Sequence, residues 1–75
     1  MSWANNFLSI DKNGEAGSCP YCSSSNTNYY YNPPEGAKIS SLYIWCNDCM
    51  KAFLGSADRT LPRNKVKPPK GLALG

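Results

Sequence analysis

Histidine is absent from this chain of 75 residues, and acids are few: Asp11, Glu15, Glu35, Asp48 and Asp58 stand well apart. With no histidine base, no paired carboxylates and no glycine-rich phosphate loop, the usual equipment of acid–base and phosphoryl-transfer chemistry is missing, so neither an enzyme nor a small-molecule substrate is expected. The hydroxyls of Ser23, Ser24 and Ser25 have no activating neighbour in sequence and read as loop. Long apolar runs are lacking too. Asn, Ser, Asp, Lys or Pro interrupts each one well short of the roughly 18 residues that suggest a membrane helix, so no membrane association is expected. Residues Met1 to Asn6 have neither the basic start nor the apolar run of a secretory signal, which gives the expectation of a cytoplasmic, reducing location. Bulk is the last shortage: a core in so short a chain rarely supplies more than ~3–5 kcal/mol, so a staple is expected.

The cysteines are the candidates for that staple. They fall as Cys19-Pro20-Tyr21-Cys22 and, after 23 intervening residues, Cys46-Asn47-Asp48-Cys49. Two residues between cysteines let the backbone curl so that both sulfurs approach one point at a metal–sulfur distance of about 2.3 Å, and two such knuckles complete a tetrahedron. Four thiolates leave no open coordination position, so the ion would be structural and would not activate water. Ligand softness and abundance favour one zinc ion, although iron fits four thiolates as well. Binding at such sites is worth about 10–16 kcal/mol near neutral pH. A disulfide within one knuckle would contribute roughly 2 kcal/mol and a Cys19–Cys46 bridge roughly 3.5 kcal/mol, so the metal is the stronger staple.

Cys-Pro-Tyr-Cys also resembles the active-site tetrapeptide of glutaredoxins, where the first cysteine is a nucleophile of low pKa. That fold implies a strand leading into Cys19 and a long helix leaving Cys22. This chain instead has Asn13-Gly14-Glu15-Ala16-Gly17-Ser18 before and Ser23-Ser24-Ser25-Asn26 after, which are loop residues, and a redox site would leave Cys46 and Cys49 without a role. A thiol–disulfide oxidoreductase is therefore the weakest of the functional readings.

Trp3, Phe7 and Ile10 recur at helical spacing, with Ser2 as a candidate N-cap and Asn13-Gly14 as a stop, so residues 1–16 form a short helix or coil that packs on the remainder. Thr27 to Asn32 has strand composition, Pro33-Pro34-Glu35-Gly36 is turn chemistry, and Ser41 to Trp45 is a second strand that pairs antiparallel with the first. Met50 to Leu54 reads as a third strand, ended by Gly55-Ser56.

Residues 17–55 in this arrangement resemble the zinc-ribbon family, in which two Cys-x-x-Cys knuckles at one end of a small antiparallel sheet share a zinc ion. Cys19, Cys22, Cys46 and Cys49 match the ligand positions, and Pro20 fits the Cys-Pro-x-Cys form of the first knuckle. Many ribbons carry glycine in or just after the second knuckle; here Asn47 and Asp48, which tolerate left-handed backbone, are expected to substitute. The fold class is thus a small metal-stabilised, mostly-β domain: a three-stranded ribbon at 17–55, preceded by residues 1–16 and followed by a flexible, basic, proline-containing tail at 56–75.

Function must be sought in charge and aromatics, because a ribbon serves many roles. Arg59, Arg63, Lys65, Lys67 and Lys70 lie in the tail with no acid beyond residue 58, whereas the chain before residue 59 sums to −2. Four thiolates around a divalent ion add a further charge of about −2, so the whole protein falls from the formal +3 to about +1 and only the segregation of charge is informative. Tyr30, Tyr43, Trp45 and Phe53 are expected on one face of the sheet, with Leu42, Ile44, Ala52 and Leu54 on the other. An open aromatic face beside an extended basic tail suits a nucleic acid, bases on the rings and phosphates on the cations. The alternatives are a protein-interaction adaptor docking on a larger assembly, a purely solubilising tail, and an aromatic face covered by Trp3 and Phe7.

Overall fold

The computed structural model describes residues 3–36, 39–57 and 60–74. Its one α-helix, α1, spans Ala4–Asn13. Trp3 precedes it in N-cap position without a side-chain cap, so the proposed cap at Ser2 lies outside the described residues. Gly14 ends the helix in the left-handed conformation, φ 71°, and donates its N–H to the Ile10 carbonyl at 2.9 Å, a stop that a residue without Cβ makes at least cost. Ile10 and Asn6 are buried on the inner face of α1 and Phe7 packs beside them. A buried amide is tolerated only if it is satisfied. The Asn6 side chain donates to the carbonyls of Ala16 at 2.8 Å and Ser18 at 2.7 Å, which fastens the helix to the chain entering the first knuckle.

Three strands follow in an antiparallel meander: β1 Thr27–Tyr30, β2 Ser40–Cys46 and β3 Lys51–Ala57. A fourth, β4 Ala73–Leu74, adds in parallel to the free edge of β3, giving the order β1-β2-β3-β4. The third strand does not stop at Gly55-Ser56 but runs on to Ala57. Gly55 is instead where the Phe53 ring lies back over the strand, and a Cβ there would stand inside the ring's van der Waals radius.

The register decides which side chains share a face. Ile44 is opposite Phe53 and Tyr29, and Leu42 is opposite Gly55, so Tyr29, Leu42, Ile44 and Phe53 look toward α1 and make the core with Trp3, Ile10, Ala16 and Leu61. Tyr43 is opposite Tyr30 and Leu54, and Trp45 is opposite Ala52, so these occupy the other face. The expected face of four aromatics is therefore corrected: Phe53 belongs with Leu42 and Ile44, while Ala52 and Leu54 join Tyr43 and Trp45. Alternation in β3 starts at Lys51, after Met50 has closed the knuckle with φ 61°, and a phase error of one residue turns every side chain of a strand over. Leu42, Ile44 and Ile10 are fully buried, each contributing ~1.5–3 kcal/mol.

The segment expected to be a flexible tail is extended but anchored. Leu61 is 3% exposed within the core, and the Tyr29 hydroxyl donates to the Pro62 carbonyl at 2.8 Å. Asn64 then forms an antiparallel bridge with Tyr31, past the end of β1, with bonds of 2.9 and 3.0 Å. From there the chain crosses the second face of the sheet, Lys65, Lys67 and Pro68 standing beside Tyr30 and Tyr43, and ends as β4 on the far edge. Residues 60–74 thus wrap from the core, round the β1 edge, to β3. Trp3 and Phe7 cover the core face and not this one.

Candidate functional site

Each knuckle is built by the same backbone device. Ser23 N–H donates to the Cys19 carbonyl at 2.9 Å with Ser23 at φ 62°, and Met50 N–H donates to the Cys46 carbonyl at 3.0 Å with Met50 at φ 61°. Two residues into each turn, Tyr21 N–H points at Cys19 Sγ and Asp48 N–H at Cys46 Sγ, both at 3.4 Å. The left-handed residue is the one after each second cysteine. Asn47 and Asp48 do not take that conformation, contrary to the expectation for the second knuckle.

Asn47 and Asp48 lock the knuckles together instead. The Asp48 carboxylate accepts from the Ser24 hydroxyl and from Asn26 Nδ2, the latter at 3.2 Å. Asn47 N–H donates to the Asn26 carbonyl at 2.8 Å, and Asn47 Oδ1 accepts from the Trp45 indole at 3.1 Å. Donation from Ser24 and Asn26 holds the Asp48 carboxyl below its usual range. On the other flank, the Tyr21 ring lies 5.9 Å from that of Trp3 and has Lys51 Nζ 5.2 Å from its centre, so the first knuckle is clasped between α1 and β3. The Trp3 indole N–H is buried without a hydrogen-bond partner.

These turns bring the four sulfurs together. Cys19 and Cys49 Sγ are 3.6 Å apart, Cys22 and Cys46 Sγ 3.5 Å, and all four lie within 4.8 Å of one another. A tetrahedral ion with bonds of about 2.3 Å separates its sulfurs by about 3.8 Å, whereas a disulfide would need about 2.05 Å. None of the four is in a disulfide. The thiols do not ionise alike. Burial opposes the Cys46 thiolate, but the N–H groups of Cys49 and Asp48 and the neighbouring thiols outweigh it and bring Cys46 down to about 7. The Ser24 N–H favours the Cys22 thiolate, yet desolvation and its three sulfur neighbours push Cys22 up to about 12. Ionising all four sulfurs at this spacing would require a cation among them.

The remaining residues singled out in the sequence separate by place. Tyr30 and Tyr43, whose rings meet edge to face at 6.2 Å, line an open groove of about 510 Å³ with Asn32, Lys65, Lys67 and Pro68. Trp45 shares their face but is 1% exposed, and Phe53 packs against the core. Arg63 donates to Asn32 Oδ1 at 3.1 Å and to the Pro33 carbonyl at 2.8 Å, so its guanidinium holds the β1–β2 loop. Lys70 is exposed at the turn before β4, outside the groove, and Arg59 lies outside the described residues. Sequence reasoning missed Asn64, whose Nδ2 donates to Asn28 Oδ1 at 2.9 Å while its Oδ1 accepts the Val66 N–H at 3.1 Å. No local signal marks an asparagine between Arg63 and Lys65 as the anchor of a tail.

Among the described residues, no helix is long and apolar enough to cross a membrane. The chain matches no protein-family model, no curated protein and no solved structure. The four gathered cysteines on three antiparallel strands fit a zinc-ribbon-like module with a candidate metal centre.

Proposed function

We propose that this chain is a non-catalytic zinc module that binds nucleic acid, using Tyr30 and Tyr43 for bases and Lys65 and Lys67 for phosphates. The observation that carries the reading is the groove: two tyrosines from adjacent strands and two lysines from the distant C-terminal segment line the same surface. Soft thiolates favour zinc, and closed coordination makes its role structural. The shared centre also gives Cys46 and Cys49 a purpose that a Cys-Pro-Tyr-Cys redox site does not. Trp45 drops out as a contact because it is buried, Phe53 because it packs on the core face, and Arg63 because its guanidinium is engaged within the fold.

A fluorescent oligonucleotide added to the zinc-loaded protein is expected to bind in low salt and to dissociate as salt rises. Single strands lose about 0.7 in the log–log slope per neutralised phosphate, so two groove lysines give about −1.4 and further tail cations steepen it. Affinity independent of salt, or none, overturns the reading. A protein-docking role is the second reading, favoured by Leu54, 45% exposed beside Tyr43. Partners retained from nuclease-treated lysate would support it.

A further inference from the structure

We propose that the groove between Tyr30, Tyr43 and the lysine strap seats one unpaired base of a single-stranded nucleic acid, an inference that rests on the nucleic-acid reading above. The first reason is the pair of rings. Their planes cross at 81° with centroids 6.2 Å apart, so they meet edge to face and do not stack on one another. A ring meeting its neighbour edge-on leaves its own faces uncovered by that neighbour. A nucleobase stacks on such a face whatever its sequence, because every base has a π surface.

The second reason is the wall. Lys65, Lys67 and Pro68 belong to a strap held in place before any ligand arrives: Asn64 makes two backbone bonds to Tyr31, one side-chain bond to Asn28, and turns the chain by accepting from Val66 N–H. Among the described residues neither Lys65 nor Lys67 has a salt-bridge or hydrogen-bond partner. Cations on a pinned strap need little ordering on binding, whereas cations on a free tail would pay for it in entropy. The third reason is the end of the groove. Asn32 lines the groove and its Oδ1 accepts from Arg63, so what its side-chain amide offers a ligand there is N–H donors.

A duplex does not fit this chemistry. Its bases cover one another's faces and present only edges, and reading those edges takes a helix or a two-stranded ribbon that projects into the major groove. Here the tyrosines lie in a concave surface beside the strap, within the roughly 300–1,000 Å³ of small-ligand sites, where only a base splayed from its neighbours can enter.

Full-length, zinc-loaded protein would be titrated at one salt concentration with a labelled oligothymidylate, with a DNA hairpin of equal phosphate number, and with a polyglutamate peptide. The single strand is expected to bind at least roughly tenfold more tightly than the other two. Tyr43→Leu should weaken it by roughly 5- to 100-fold without changing the salt slope, the effect of one lost stacking platform, while Lys65→Ser combined with Lys67→Ser should reduce the slope by about 1.4. In wild-type protein the ring-proton resonances of Tyr30 and Tyr43 should move upfield on adding the single strand, a readout independent of whether the variants fold. Equal affinity for hairpin and single strand, unmoved tyrosine resonances, or polyglutamate binding as tight as the oligonucleotide each overturn the seat. Of these, hairpin binding leaves the nucleic-acid reading standing, and absence of binding to either oligonucleotide overturns both.

Discussion

At the scale of single residues, the candidate metal centre depends on two positions outside the four cysteines. Ser23 and Met50 hold left-handed backbone so that the chain can turn back over each knuckle, and that conformation costs a residue with Cβ roughly 1–2 kcal/mol. Ser23 is exposed, so its side chain contributes little to packing. Ser23→Gly is therefore expected to stabilise the metal-loaded protein by about 1 kcal/mol, read from its guanidinium midpoint at unchanged slope. A loss of stability would mean that the Ser23 side chain matters in a way its exposure hides. The cysteine spacing alone singled out the four residues whose sulfurs the fold brings together, because local backbone geometry creates each knuckle. Which neighbour takes the left-handed turn was misplaced onto Asn47 and Asp48, whose side chains are instead committed to Asn26, Ser24 and Trp45.

Among the elements, α1 and the first two strands were legible because hydrophobic period and turn residues act locally. The face presented by β3 was not, since it depends on where pairing resumes after Met50. Gly55 illustrates the difference. In sequence it reads as a strand breaker, yet in the sheet it makes room for the Phe53 ring. Gly55→Ala is expected to destabilise the protein by roughly 1–3 kcal/mol through overpacking, and by much less in a Phe53→Ala background. The double-mutant cycle isolates that coupling, and equal costs in both backgrounds would show that Gly55 serves the backbone alone.

For the whole molecule, a few buried aliphatic groups and a short helix accompany a candidate metal centre, where an ion would contribute about 10–16 kcal/mol, more than a core this small supplies. Removing the ion with a chelator is expected to unfold the chain cooperatively, visible as loss of the Trp45 near-ultraviolet signal, and restoring it should refold the protein. Acidification should act in the same direction, since each sulfur takes up a proton as the ion leaves. A folded, chelator-treated protein with native thermal stability would show that the wrapped strap and core suffice alone. Charge at this scale is modest but segregated, with Arg63, Lys65, Lys67 and Lys70 all on the strap.

The sequence by itself determined the two cysteine knuckles, the helix stop and the antiparallel ribbon, because each follows from residues within one turn or one strand of each other. Tertiary structure decided where the tail and the aromatics lie. Leu61, Pro62 and Asn64 find their partners some thirty or more residues away, in Tyr29, Tyr31 and Asn28, or in the core itself. No local rule expresses those contacts, and they set Lys65 and Lys67 beside Tyr30 and Tyr43.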